Sequence, residues 1–241
     1  MWPFKSKPNY VKDPLYVVWG KIVVLWAGAN AGYYLLLPAL EIELSYNDNP
    51  VLIGGYFLLW AIVSAAVFWH LLSKWRTSDA GIWMEGALSL AGAALVWGLL
   101  YAFSFLPMLR GPALSPYTDI IFATPWYFLP KSMDILLQQI LVTVLVLDLH
   151  FRFHSFRKVI VGYLVFFVGA HLLFFLSSSS MQHSTTMFLA AAFSTFIFPY
   201  LILRVRAGYI MTYVIHLLFY IGLAMVLHAW PPPMYVPYWA Y

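Results

Sequence analysis

Seven apolar runs fill nearly the whole of this 241-residue chain. Each approaches or exceeds the roughly 20 residues that a helix needs to cross about 30 Å of hydrocarbon. Such runs leave few choices. In lipid every backbone N–H and C=O must find a partner within the protein, and a helix satisfies them inside its own segment. Only 9% of the residues are charged, against about 25% in a soluble domain, too few to cover a surface in water. The sequence therefore predicts an all-α, polytopic integral membrane protein with seven transmembrane helices. It leaves no length for a second domain.

The runs read as spans at about 15–37, 51–72, 82–106, 131–150, 159–176, 186–203 and 209–229. Pro38 marks the first exit, and Lys74 and Arg76 follow the second span. The stretch 107–130 carries five prolines amid aromatics, and reads as an interfacial loop with a short helix near Ile120. Pro130 opens the fourth span, as a helix-starting proline does. Four serines, Ser177–Ser180, stop the fifth, and Pro231–Pro233 stop the seventh. The single domain thus divides into a tail (1–14), N-terminal helices with their loop (15–129), a helical core (130–230) and an aromatic tail (231–241). That last tail is read as interface anchoring, or as a docking strip for a partner.

Basic residues orient the spans. Alternate connections hold Lys5, Lys7 and Lys12, then Lys74 and Arg76, then Arg152, Arg157 and Lys158, then Arg204 and Arg206. The intervening ones hold only Arg110 and Lys131, beside Glu41, Glu43, Asp48 and Asp119. Positive residues favour the cytoplasmic side, so the N-terminus is expected inside and the C-terminus outside. Scattered this way, the basic residues mark topology and form no patch for nucleic acid. The first apolar run is too long for the core of a signal peptide. The expected location is a multi-pass position in a cell membrane, of the prokaryotic plasma-membrane type. Cysteine is absent, which excludes thiolate nucleophiles, disulfides and Cys-ligated metals.

Polar side chains within spans are costly and so carry information. The fourth span holds Asp134, Gln138 and Gln139, the fifth His171, the seventh His216 and, near its far end, His228. His70 and Glu85 lie near the cytoplasmic ends of their spans, as do Asp148, His150 and His154. Asp134 and Gln138 share a helical face, and Gln139 lies about 100° round from Gln138. Counting from helix ends, Gln138 and His171 lie toward the outer face, whereas His216 lies about 10 Å from the cytoplasmic start of its helix.

The order Gln138-Gln139-Ile-Leu-Val-Thr143, then Phe167-Val-Gly-Ala-His171, then His216-Leu-Leu-Phe-Tyr220 resembles the CAAX protease and bacteriocin-processing (CPBP) family of intramembrane proteases. That family shows EExxxR, FxxxH and a later HxxxN or similar on successive elements. The helix ending Phe198-Pro-Tyr-Leu-Ile-Leu-Arg204 resembles the family's own, so the likeness covers about 130–222. The resemblance implies a polar intramembrane site in which a glutamate pair and two histidines activate water. Here glutamine stands at both glutamate positions and Thr143 at the arginine position. A glutamine amide is no base, and a general base must accept a proton near neutral pH.

The resemblance therefore implies a degenerate site of Gln138, Gln139, His171 and His216, with Asp134, one turn away, the possible substitute. Two histidines alone do not make the three- or four-ligand set of zinc, so no metal or cofactor is expected. Three functions stay open. The first is a non-catalytic, CPBP-like binding or assembly subunit, with membrane lipids and a membrane protein as partners. The second is an active peptidase using Asp134 and the histidines. The third is a transporter or channel-like protein, against which stands the lack of inverted repeats.

Overall fold

The structure, a computed structural model, describes residues 13–75, 82–110, 120–172, 175, 181–205, 207–230 and 236–237. Helix α1 runs over Leu15–Ala39, with a π-helical turn at Gly32–Leu36. Helices α2 (Pro50–Val67) and α3 (Trp69–Trp75) are parted by a break at the buried Phe68. Helix α4 spans Ile82–Phe103. A 3₁₀ turn at Pro125–Tyr127 leads into α5, Phe128–Phe153. Helix α6 is Phe156–Tyr163, continued by a π-helical turn at Leu164–Val168 and by Gly169–His171. Helices α7 (Met181–Arg204) and α8 (Gly208–Ala229) complete the bundle.

Six of these segments are long and apolar enough to cross a membrane: Leu15–Ala39, Pro50–Val67, Glu85–Phe103, Pro125–Phe153, Ser184–Arg204 and Gly208–Ala229. The protein is thus an all-helical membrane protein by length and composition. The remaining expected span, 159–176, overlaps α6, which is not among these six, and residues 173–174 and 176–180, with Ser177–Ser180, fall outside the described residues. So do Lys5, Lys7, Lys12, Arg76, Pro112, Pro116, Asp119, Arg206, Pro231–Pro233 and the end of the aromatic tail.

Helix α5 is the hub, packing against α1, α2, α3, α6, α7 and α8. Its sequence explains why. From Ile140 to Leu147 it is apolar but for Thr143, and a stretch apolar nearly all round belongs inside a bundle. Leu137, Val144, Val146, Leu147 and Leu149 are fully buried. The other helices turn apolar side chains such as Leu59, Leu90 and Phe193 outward, where hydrocarbon replaces water as solvent. Helix α4 stands apart: it packs on α8 and is the least buried of the six spans.

Side-chain bonds close both ends. At one, Asn47 Oδ1 accepts from Thr124 N and Oγ1, both at 2.9 Å, while Asn47 Nδ2 donates to Phe122 O. Tyr46 is buried there against Tyr33 and Tyr127. A 3₁₀ turn at Ile120–Phe122 lies where the short helix is expected. His228 Nδ1 donates to Pro107 O at 2.9 Å, and Val236–Pro237 pairs antiparallel with Leu109–Arg110. The described part of the aromatic tail therefore docks on the chain's own 107–130 loop.

At the opposite end Arg152 bonds both oxygens of the buried Asp148, at 2.8 and 2.9 Å, and donates to Asp13 O. Asp13 also pairs with Lys21, whose hydrogen bond holds the Asp13 carboxyl below the usual carboxylate range. The α7–α8 turn places Ala207 at φ 57° and brings Gly208 hard against the Leu201 carbonyl, where no side chain fits.

Candidate polar site within the bundle

Helix α5 presents its polar residues on two faces, and each face meets a different partner. On the first, Lys131, Asp134 and Gln138 follow one another at i, i+3 and i+7. Lys131 Nζ lies 2.8 Å from Asp134 Oδ2, and Gln138 Nε2 donates to Asp134 Oδ1 at 2.9 Å. Both charged residues are buried. Lys131 was expected in a connection between spans. The helix in fact begins at Phe128, three residues before it, and Lys131 lies inside the bundle. Its ammonium sits 4.1 Å over the ring of Tyr220 on α8, a cation–π contact that a desolvated site strengthens.

On the second face Gln139, 3% exposed, crosses to α8. Its Nε2 meets His216 Nδ1 at 2.8 Å. With an amide N–H as donor, Nδ1 is the acceptor and its lone pair is engaged. His216 stacks on Tyr220 at 5.6 Å and tilts against Phe198 at 6.1 Å. Tyr220 thus touches both halves of the site, taking Lys131 on its ring and His216 beside it.

Counting from helix ends places Gln138 and His216 at different depths, yet Gln139, the next residue along, meets His216. Helix α5 has 26 residues and is about 39 Å long, more than the hydrocarbon thickness. A helix longer than the hydrocarbon is thick has ends that are poor markers of depth.

His171 is placed differently. Its Nδ1 donates to Phe167 O, one turn back, at 2.8 Å, and its ring lies 4.7 Å from that of Phe167. The π-helical turn before it shifts the helical phase that a regular α-helix would have given. His171 lies within electrostatic reach of His216, as do Lys131 and Asp134. Thr143 is buried on α5, one turn beyond Gln139.

Chemically, most polar atoms of the arrangement are committed, and Gln139 Oε1 is the exception, buried with no hydrogen-bond partner among the described residues. The nearest carboxylate, Asp134, accepts from an ammonium and an amide. The histidine nitrogen that faces the glutamine pair is hydrogen-bonded to it. Among the described residues no three His, Asp or Glu side chains gather closely enough to hold a metal ion. Sequence reasoning missed Lys131 and Tyr220. The available signal was the i, i+3 spacing of Lys131 and Asp134, which puts opposite charges on one face of a helix.

A groove opens beside this site. It holds about 1010 Å³ between α3 and α4, floored by α5 and α8, and Gln139 and Thr143 are part of its wall. The chain matches no protein-family profile, no curated protein and no solved structure.

Proposed function

We propose that this chain is a seven-span membrane protein, N-terminus cytoplasmic and C-terminus outside, on a CPBP-like scaffold that binds rather than cuts. It serves as a binding or assembly subunit of a membrane complex. One observation carries this reading: where the resemblance calls for a glutamate pair, Gln138 donates to Asp134 and Gln139 holds His216 by its amide, while Asp134 is committed to Lys131. Water activation needs a base in reach of the scissile group, and at Gln138, Gln139 and Asp134 the site offers hydrogen bonds instead. The alternation of basic residues along the sequence supports the orientation. The contact of Arg152 with Asp13 fits both lying at one membrane face.

Extraction in mild detergent tests the proposal. A second membrane polypeptide in fixed stoichiometry is the expected outcome. A monodisperse single chain, or peptide-bond cleavage that Asp134→Ala abolishes, overturns it.

A further inference from the structure

A second groove lies at the end of the bundle that holds Asp13 and Arg152. It measures about 380 Å³ and runs between α1 and α6, over α5. Leu15 and Trp19 form one wall, and Val161 and Val165 the other. Trp19 packs against Phe166 at 4.9 Å, joining α1 to the segment that continues α6. Gly162 lies between the walls, where a Cβ would stand 2.8 Å from Leu149 Cδ2. Its absence lets α6 lie close on α5. The channel is therefore lined by hydrocarbon.

Charge enters at one end only. Arg157 and Lys158, in the first turn of α6, complete the lining. Both are exposed, and neither forms an ion pair among the described residues. Lys158 Nζ stands 5.9 Å over the ring of Phe153, the residue at which the span-length segment of α5 ends. The two cations thus fit headgroup depth, and the valines beyond them fit the hydrocarbon. From Lys158 to Val165 the chain climbs about 10 Å, enough to hold the first stretch of an acyl chain.

The start of α6 gives independent support. Its first turn has no acidic residue, and the Ser155 side chain caps none of its N–H groups. A helix N-terminus carries about half a positive charge. Arg157 and Lys158 add two more charges of the same sign, so the local repulsion is relieved by an anion lying over the turn.

We propose that this groove binds an anionic phospholipid. The phosphate sits on Arg157, Lys158 and the first turn of α6, and one acyl chain lies along Leu15, Trp19, Val161 and Val165. The site is separate from the polar cluster around Asp134 and does not depend on the binding-subunit reading.

The full chain, stripped of lipid in mild detergent, tests it by native mass measurement at fixed ionic strength. The probes are phosphatidylglycerol and phosphatidylcholine with matched chains, and inorganic phosphate as a competitor. The first lipid bound should be phosphatidylglycerol with a preference of about 30-fold, about five-fold from each basic residue. Arg157→Gln with Lys158→Gln should abolish the preference. Arg204→Gln, a basic residue outside the groove, should leave it. Val161→Trp, at an exposed position, should fill the groove and weaken both lipids without changing the thermal stability of the lipid-free chain.

Equal binding of the two lipids by the unaltered chain, or a preference that survives the double substitution, overturns the site. A loss with Arg204→Gln as large as with the pair assigns the preference to diffuse surface charge. Displacement by inorganic phosphate assigns it to a free anion, and binding untouched by Val161→Trp removes the chain's seat. A polypeptide released by the double substitution, in place of a lipid, assigns the groove to a protein partner. Each of these outcomes also overturns the proposal.

Discussion

Gln139 and His216, 77 residues apart in the chain, meet at 2.8 Å across α5 and α8. The contact joins the two helices through the amide at the second position of the glutamine pair. A double-mutant cycle with Gln139→Leu and His216→Leu should give a coupling of about 0.6–1.7 kcal/mol, the range of such bonds inside membranes. Unfolding in bicelles measures it. Additive losses would mean that the two side chains do not support one another.

Lys131 and Asp134 should behave as a unit. Lys131→Met strands a buried carboxylate and should cost about 3–5 kcal/mol. Adding Asp134→Leu should restore most of the loss, because the desolvated charge goes with its partner. Gln138 would then lose its acceptor and keep a small residual cost. A double variant no better than the single one would contradict the pairing.

The fork of Arg152 on Asp148 is the counterpart at the other end of α5. Arg152→Ala leaves the fully buried Asp148 uncompensated and should cost about 3–5 kcal/mol. Arg152→Lys should recover part of this, since a single ammonium cannot reproduce the two-pronged contact. The same substitutions should free the chain around Asp13, read as faster amide exchange there.

Much of this architecture is legible in the sequence, and the parts that are not share a cause. The fourth span, read at 131–150, is α5, which runs three residues further at each end. The spans at 51–72, 82–106 and 209–229 begin within a residue of α2, α4 and α8. The break after Val67 carries no proline or glycine. It arises where Phe68 turns into the core, a matter of tertiary packing. The π-helical turn before His171 likewise leaves no mark on composition. Lys131 reads as a topology signal because a charge next to a helix-starting proline usually faces water. Its partner three residues on reverses that reading. Gln139 is recognisable as polar and intramembrane, but its bond to α8 depends on the relative height of the two helices, which no sequence pattern records.

The α7–α8 turn offers two substitutions with opposite outcomes. Gly208→Ala would drive a Cβ into the Leu201 carbonyl, which is backbone and cannot yield. A loss above about 3 kcal/mol is expected. Ala207→Gly should be neutral to about 1 kcal/mol stabilising, because alanine at φ 57° carries left-handed strain that glycine escapes. Thermal unfolding of the two variants checks both.

Acidification should act on the Asp13 contact in one direction. Its carboxyl is held low by Lys21, so its contribution is complete above the unfolded value near 3.9. The contribution is lost as pH falls through the lower folded value. A carboxyl ¹³C titration should place the midpoint below about 3.9, and Lys21→Met should raise it. The effect on overall stability should be small, since the pair is largely open to solvent and salt.

The central claim, that this membrane domain binds and does not cut, is tested most directly by native mass measurement of the chain extracted in mild detergent. A discrete complex holding this chain and a second membrane polypeptide in fixed ratio is the result expected. The mass of the single chain alone would contradict it.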